Sequence, residues 1–450
     1  MSPALDQRTD RKAPADEVPY TLEAPAPRPL SFADQGAFWA NLGVSLLGFS
    51  GAYTVLAPPG AAPLSLVAAL VATAVGTLLG SVMVGLAAIP GARTGAPSMV
   101  LLRGLFGTRP SYVPTVLNIV QLIGWGTFEL IVIAQAAQSI LGDAVPRWVC
   151  VVAAGVLTTA LTLRPLGAVR LLRRYVTIAV VIAMGYFAWR LLSEPLPALT
   201  EGSWTGFWAG ADAALAVAVS WVPLAADYSR HSRTPGTAFG SAVTAYSITQ
   251  TACYALGFVA LILVAGDPDR VFDPFLAVPL GALFFAVLVL REVDQSFANV
   301  YSTAVSVQNL RPKADRRVLC LGIGALTTVL AVIFDIGAYA EFLLLIGSVF
   351  VPLLAVLVVD YFLFSRGREW NISTDAPVRY GMLLAWVLGF VAHHVVAPGG
   401  GGWWTHLWTE AQRLIGYTPQ SWVSASLLSF LVAGGVAAVV DLVAARRRGA

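Results

Sequence analysis

The chain has 450 residues, of which 57% are hydrophobic and only 12% are charged, and its mean hydropathy is +0.74. A soluble globular protein carries about a quarter charged residues, so this composition excludes that class and predicts an all-α protein embedded in a bilayer. The formal net charge of +3 says little about partners, and no nucleic-acid partner is expected.

The first 36 residues are polar and rich in proline. They lack the apolar stretch of a cleavable signal peptide. We predict that residues 1–36 form a disordered tail, most clearly over Met1–Pro29.

A helix needs about 20 apolar residues to cross a membrane. Twelve segments meet this requirement, which predicts a polytopic protein with twelve spans. The predicted spans are 38–58, 63–90, 112–141, 146–164, 172–193, 205–227, 238–265, 281–309, 318–336, 338–364, 378–397 and 421–444.

The 28 Lys and Arg residues are distributed unevenly between the two sides of these spans. The side opposite the termini holds only Arg147, Arg190, Arg270 and Arg413, while Arg291 lies within a span. Positively charged loops stay in the cytoplasm, so both termini are predicted to be cytoplasmic and the protein to lie in the plasma membrane.

Breaks in the helix are predicted in the first and sixth spans. The first has Gly43, Gly48 and Gly51 near its centre, and the sixth contains Pro223. Breaks at corresponding positions of two five-helix halves indicate an inverted-repeat transporter with its site at the midplane. The predicted units are 37–193, 204–364 and two further helices over 378–445. The alternative is that the glycines only permit close helix packing.

Four acids lie inside spans and away from their ends: Glu129, Asp212, Glu292 and Asp294. Such residues are costly in lipid and indicate function. Glu129 lies one turn after Trp125, and Gln121 lies one turn before it, so all three share a face. An aromatic face beside a carboxylate suits a flat, nitrogen-rich heterocycle. The alternative is a structural acid paired with another helix.

The eighth span combines acids with hydroxyl and amide side chains. Asn299, Ser302 and Thr303 follow Asp294, which lies near mid-bilayer. These oxygens, with carbonyls of the broken first helix, predict a sodium site, whereas Glu292 or Asp294 would instead carry a proton. The structural alternatives are an ion pair of Asp294 with Arg291 and hydrogen bonds between helices.

Five stretches resemble the purine–cytosine permease branch of the nucleobase:cation symporter-1 family. The stretches are GARTGAPSMVLLRGLFG, QLIGWGTFE, SWVPLAADYSR, FANVYSTAVSVQN and GSVFVPLLAVLVVDYFL, in chain order between Phe32 and Leu363. The resemblance implies the leucine-transporter-type fold, with two inverted five-helix repeats plus two C-terminal helices. It also implies alternating-access symport of a nucleobase with sodium or a proton.

The resemblance further implies roles for single residues. Trp125 matches a tryptophan that stacks on substrate, and Glu129 stands where a hydantoin-transporting relative has glutamine. Trp221 is the candidate for a second stacking tryptophan, and Ser302 with Thr303 match a sodium-binding pair. Phe49, Ser50 and Asn299 complete the predicted substrate site.

Glu129 has a consequence for specificity. An ionised carboxylate only accepts hydrogen bonds, so it favours bases with two donors or a positive charge over uracil or hydantoin. We therefore expect import of cytosine or a purine. The alternatives are a hydroxymethylpyrimidine- or thiamine-type vitamin precursor and an amino acid.

Other classes of protein fit less well. The chain has no DDxxD motif, histidine cluster or CxxC spacing, so neither an enzyme nor a cofactor is expected, apart from a coupling sodium ion. The deep acids and broken helices argue against a channel or scaffold. We expect a monomer surrounded by lipid.

Overall fold

The computed structural model describes residues 17–22, 25–58, 62–171, 175–196, 199–335, 339–365 and 370–449. Regular structure within these ranges is helical, apart from two isolated β-bridges. This confirms the prediction of an all-α fold.

The described residues of the first half of the chain form eight α-helices. They are α1 (Phe32–Gly43), α2 (Leu46–Leu56), α3 (Leu66–Thr94), α4 (Ser98–Phe106), α5 (Tyr112–Leu141), α6 (Arg147–Thr162), α7 (Pro165–Leu171) and α8 (Thr177–Leu191).

The second half has the same alternation of long and broken helices. Its helices are α9 (Phe207–Val219), α10 (Ala225–Ser229), α11 (Pro235–Leu263, with an internal π turn), α12 (Asp273–Ala277), α13 (Gly281–Leu310), α14 (Arg316–Ile333), α15 (Tyr339–Val358), α16 (Tyr380–Val396), α17 (Gly402–Ile415) and α18 (Ala425–Gly449). A π turn, Val359–Phe364, extends α15.

Each of the twelve predicted spans corresponds to one of these helices or to a broken helix. By length and composition, seven helices of the described residues suffice to cross a membrane, or eight if the bent pair α6 and α7 forms one span. The number twelve therefore remains a prediction. Breaks shorten the first span, and α13 carries three charged residues near its middle.

Both predicted helix breaks are confirmed. The first falls between α1 and α2, where Ser45 caps α2 by accepting a hydrogen bond from the Leu47 amide. The second lies between α9 and α10, where Val222–Leu224 form a short 3₁₀ turn around Pro223. Proline lacks the amide hydrogen that a continuous helix requires.

Small residues let the broken helices approach their neighbours closely. A Cβ atom added to Gly76 on α3 would collide with the Ala211 carbonyl of α9, and one at Gly80 would lie 2.6 Å from the Ala218 methyl. Such small-residue contacts are how membrane helices pack without a hydrophobic driving force. Helices α5 and α13 pack along each other at the centre of the fold.

The described part of the N-terminal segment is ordered, contrary to the predicted disorder over 1–36. Glu17 accepts hydrogen bonds from the Leu166 and Gly167 amides at the start of α7. The Tyr20 carbonyl accepts from the Arg316 amide, and Phe32 begins α1. The polar, proline-rich sequence alone predicts disorder. The contacts that order this segment come from loops that are distant in sequence. Residues 1–16 and 23–24 lie outside the described residues.

The face that this segment covers is called the N-terminal face below. Between it and the centre of the fold, the Tyr228 hydroxyl donates to the Ala298 carbonyl at 3.1 Å. Arg230 donates to the Tyr301 hydroxyl, also at 3.1 Å. Asp227 accepts from the Ser98 amide at 2.9 Å. These contacts join α10 to α4 and α13.

Candidate functional site

A small cavity lies where the two broken helices meet α5, α11 and α13. It holds about 20 Å³ of free space, which is little more than one water molecule needs. Its lining is Leu42, Gly43, Ser45, Leu47, Gly48, Trp125, Glu129, Val217, Ser220, Trp221, Tyr246, Gln250, Tyr254, Gln295 and Asn299. The walls must therefore move apart before a flat ring can enter.

Trp125 and Glu129 project from the same face of α5 into this cavity, as their spacing predicts. The Trp125 ring contacts Phe342 of α15 edge to face, at a centroid distance of 5.4 Å. Phe342 also packs on Phe128 at 5.3 Å. Phe342 thus packs against both aromatic residues of this part of α5.

Glu129 meets a second acid at the break in the first span. Its side chain lies within hydrogen-bonding contact of Glu292, and both residues are almost completely buried. Glu292 in turn accepts from the Ser45 hydroxyl at 2.7 Å and from the Leu46 amide at 3.0 Å. The Glu292 carboxylate therefore caps the N-terminus of α2, where the helix dipole favours negative charge.

The other half of the break faces a cation. The Arg291 guanidinium donates to the Asn41 carbonyl at the end of α1 and, at 2.8 Å, to Glu292. The Gln295 amide donates to the neighbouring Leu42 carbonyl at 2.8 Å. Arg291 is fully buried. Its ion pair is with Glu292 and not with Asp294, the partner considered from the sequence.

The sixth span supplies the opposite wall. Trp221 precedes Pro223 in the second break and donates its indole N–H to the Tyr246 hydroxyl at 3.0 Å. Both rings line the cavity. Gln121 does not line it, because its amide is directed to the Asn118 side chain at 2.9 Å and to the Ser220 carbonyl at 3.4 Å.

Two further predicted ligands of the first span lie away from the cavity lining. Phe49 is completely buried and packs on Phe275 of α12 at a centroid distance of 4.8 Å. The Ser50 hydroxyl is directed back to the Leu46 carbonyl of its own helix at 3.4 Å. The break falls at Ser45, so Phe49 and Ser50 lie within α2 and outside the cavity lining, and their contact with substrate stays a prediction.

The predicted sodium ligands Ser302 and Thr303 have other polar neighbours in this structure. Ser302 lies ten residues after Glu292, which is roughly 15 Å along α13. It sits beside Asp227 and Tyr228. The Thr303 hydroxyl donates to the Asn299 carbonyl at 2.7 Å. The carbonyls of the broken first helix instead face Arg291 and Gln295, so the residues present do not fit a sodium ion in the expected way.

The other two intramembrane acids differ in role. Asp212 accepts from the Ser424 hydroxyl at 2.6 Å and the Ala425 amide at 2.8 Å, which caps the start of α18. Asp294 is buried on α13, but it does not line the cavity. Asp212 is therefore a structural cap, whereas Asp294 stays a candidate for proton coupling.

Sequence reasoning missed several polar groups of the lining. They are Ser45, Ser220, Tyr246, Gln250, Tyr254 and Gln295. A signal existed for two of them, since Gln250 and Gln295 are amides within otherwise apolar spans. The Gln250 amide is held by the Thr77 hydroxyl and the Ala214 carbonyl, both at 2.9 Å.

Comparison with known proteins gives one family and several structural relatives. A family model described as a permease for cytosine/purines, uracil, thiamine and allantoin matches residues 50–397. None of the curated proteins matches this chain.

Three solved structures share the fold. Mhp1, a nucleobase-cation-symport-1 family transporter in a closed conformation with bromovinylhydantoin bound, superposes with a TM-score of 0.73 at 15% identity, covering 96% of this chain and 95% of that one. Its inward-facing conformation gives 0.69 at 15% identity, with coverage of 97% and 95%. A Na⁺-coupled sialic acid symporter in a substrate-bound outward-open state gives 0.60 at 9% identity, with coverage of 92% and 90%.

Proposed function

Since the chain belongs to the family of permeases for cytosine and purines, uracil, thiamine and allantoin, we propose that it is a symporter that moves a nucleobase-type heterocycle together with a cation. The related fold is known in closed and inward-facing conformations, which supports alternating access. The observation that carries the proposal is the pair Trp125 and Glu129, which face one enclosed cavity between two broken helices.

The chemistry of the cavity favours a base that bears amino groups. The Trp125 and Trp221 indoles offer faces on which a planar ring stacks. The Glu129 carboxylate accepts hydrogen bonds from two adjacent donors, as an amino group beside a ring N–H presents. Asn299 and Gln295 supply amide groups around the remaining edges. Cytosine and purines with amino groups match this arrangement better than uracil does.

A second candidate is an aminopyrimidine of the thiamine-precursor type. Its amino group beside a ring nitrogen that can carry a proton also complements a carboxylate. The family description includes thiamine, and Glu129 is the residue that would favour such a substrate.

An amino acid fits the site poorly. In that case the amides at the start of α2 would have to grip the substrate carboxylate. The Leu46 amide already donates to Glu292, and the Leu47 amide donates to the Ser45 hydroxyl at 3.0 Å. The Glu292 carboxylate also repels a second anion from the same helix end.

We assign both termini and the N-terminal face to the cytoplasm, because the loops on this side carry most of the Lys and Arg residues. Import across the plasma membrane by a monomer follows as part of the same proposal. We assign this structure to a closed state of the site, because about 20 Å³ of free space is too little for a base.

A thermal-shift panel on detergent-purified protein tests the proposal. It compares guanine, adenine, cytosine, hydroxymethylpyrimidine, uracil, hydantoin and phenylalanine, because a ligand that binds the folded state raises the apparent Tm. We expect an amino-bearing heterocycle to raise the Tm of the wild type and to lose this effect in Trp125→Ala. A shift with phenylalanine alone, or an equal shift in both proteins, would contradict the proposed site.

A further inference from the structure

The unusual feature of this site is a buried cation that belongs to the protein itself. The carbonyls at the end of α1 lack the amides that a continuous helix would supply, because the helix stops at Gly43, and the Asn41 carbonyl keeps only a short-range bond from the Val44 amide at 3.1 Å. Freed carbonyls of this kind are the groups that bind a coupling ion in broken-helix transporters. Here the Asn41 carbonyl accepts from Arg291, and the Leu42 carbonyl accepts from Gln295.

Adjacent residues of α13 thus serve both ends of the break. Arg291 places a positive charge at the C-terminus of α1, and Glu292 places a negative charge at the N-terminus of α2. Each charge complements the dipole of the helix end that it faces. The two are also ion-paired at 2.8 Å. The break is therefore neutralised internally, with polar contacts that an added sodium ion would have to displace.

The net charge at the cavity then depends on whether Glu129 is protonated. The described structure gives Arg291 as the cation beside Glu292, and Glu129 lies against that same carboxylate. Two buried carboxyl groups in hydrogen-bonding contact are stable when they share a proton, since two like charges would repel each other in a medium of low dielectric constant. Glu129 also lines the cavity, so this proton is next to the substrate position.

The remaining titratable groups around the pair are few among the described residues. Asp294 lies on the same helix as Glu292. From α11, Cys253 contacts the Ser45 carbonyl at 3.3 Å, and Tyr246 and Tyr254 line the cavity. A thiol and two phenols are neutral in ordinary conditions. The groups that can exchange protons are therefore Glu129 and Glu292, with Asp294 as their neighbour.

We propose that Arg291 permanently fills the carbonyl site where a coupling sodium ion would bind, and that Glu129 and Glu292 together take up and release one coupling proton. This inference rests on the proposed function, because a coupled proton requires a transported substrate. The proton bridges the two carboxyl groups in the closed state. It leaves when the site opens to the cytoplasm, and the substrate that Glu129 holds leaves with it.

The first experiment needs no substrate. Binding of ²²Na⁺ to purified wild type is measured by scintillation proximity, and the Tm is compared in sodium chloride and choline chloride at equal ionic strength. We expect no saturable sodium binding and an unchanged Tm. Saturable binding of one sodium ion per protein would overturn the role of Arg291.

The second experiment measures coupling in proteoliposomes with radiolabelled guanine and cytosine as probes. An inward proton gradient should drive accumulation of about tenfold per pH unit for one proton per base. A protonophore should abolish it, and replacement of sodium by choline should leave it unchanged.

The acid pair is tested by Glu292→Gln and Glu129→Gln, with Asp212→Asn as a control for the loss of a buried carboxylate elsewhere. The measured quantity is the ratio of gradient-driven uptake to base exchange at equal pH. We expect this ratio to fall at least tenfold in both variants of the pair and to stay at the wild-type value in the control. A wild-type ratio in both variants would refute the shared proton.

The outcomes distinguish a failure of this inference from a failure of the proposed function. Exchange of a base without response to the proton gradient would overturn this inference and leave the proposed function standing. Absence of all base exchange would overturn the proposed function and the coupled proton with it. The sodium measurement would still decide the place of Arg291.

Discussion

Replacing Glu129 by glutamine should change which base is preferred. The side chain is 2% exposed and lines the cavity, so solvent screens its interactions little. Glutamine keeps one acceptor but presents an NH₂ group where the second carboxylate oxygen was. Opposite guanine, that NH₂ meets another donor. Loss of a charge-assisted hydrogen bond costs about 1.5–3 kcal/mol, or roughly a 10- to 100-fold weaker affinity.

The same substitution should favour bases with an imide edge. Uracil offers a donor beside an acceptor, which complements an amide, so its affinity should rise or stay constant. The assay is competition by unlabelled guanine and uracil for binding to wild type and Glu129→Gln. The account predicts that the ratio of the two affinities changes at least tenfold. A ratio within about twofold of wild type corresponds to less free energy than a single hydrogen bond contributes. It would refute the proposed recognition of the base by Glu129.

Stability provides an internal check on this variant. Glutamine is uncharged, so the variant no longer places two ionisable carboxyl groups side by side, and the Tm should be equal to or above that of the wild type. Asp212→Asn is the matched control. It should lower the Tm, because Asp212 accepts two hydrogen bonds at the start of α18, but it should leave the ratio of guanine to uracil affinity unchanged.

Three further variants test other parts of the structure. Trp125→Ala should weaken base binding roughly 10- to 100-fold, since stacking of a base on an aromatic ring contributes about 1–3 kcal/mol; equal affinity in a direct binding assay would exclude Trp125 as the stacking surface. Ser302→Ala with Thr303→Ala should leave the response of uptake to sodium as in the wild type, because Ser302 lies beside Asp227 and Tyr228 and the Thr303 hydroxyl donates to the Asn299 carbonyl; a changed sodium response would restore the predicted sodium site. Burial lowers the pKa of His231 to about 3, and Arg230 contributes, so the stability from its neutral form is present above pH ~6.5 and declines as the pH falls from there towards 3. The Tm of His231→Gln should therefore decline less over this range, and parallel Tm curves for the two proteins would contradict that role.

Much of the architecture was predictable because the relevant signals are local. Apolar length located the long helices, although not short ones such as α4 and α17, and Pro223 marked one break directly. The four-residue spacing of Trp125 and Glu129 put both on one face whatever the rest of the chain does. These features depend only on helix geometry and on the chemistry of single residues.

The rest depended on contacts between distant segments. The sequence placed Arg291, Glu292 and Asp294 in one helix, but which acid pairs with Arg291 depends on how α13 is rotated against the broken first span. Likewise, the adjacent residues Ser302 and Thr303 suggest an ion site. Their distance from the break depends on which residues of α13 contact the break, and the sequence does not show this. The order of Glu17 and Tyr20 follows from loops about 150 and 300 residues away.

The most direct test of the central claim is an experimental structure of the purified protein with the base that gives the largest thermal shift. The account predicts a planar ring between Trp125 and Trp221, with amino and ring N–H groups directed at Glu129 and the Arg291 guanidinium still on the Asn41 carbonyl. A base bound outside this cavity, or a sodium ion on that carbonyl with Arg291 displaced, would contradict it.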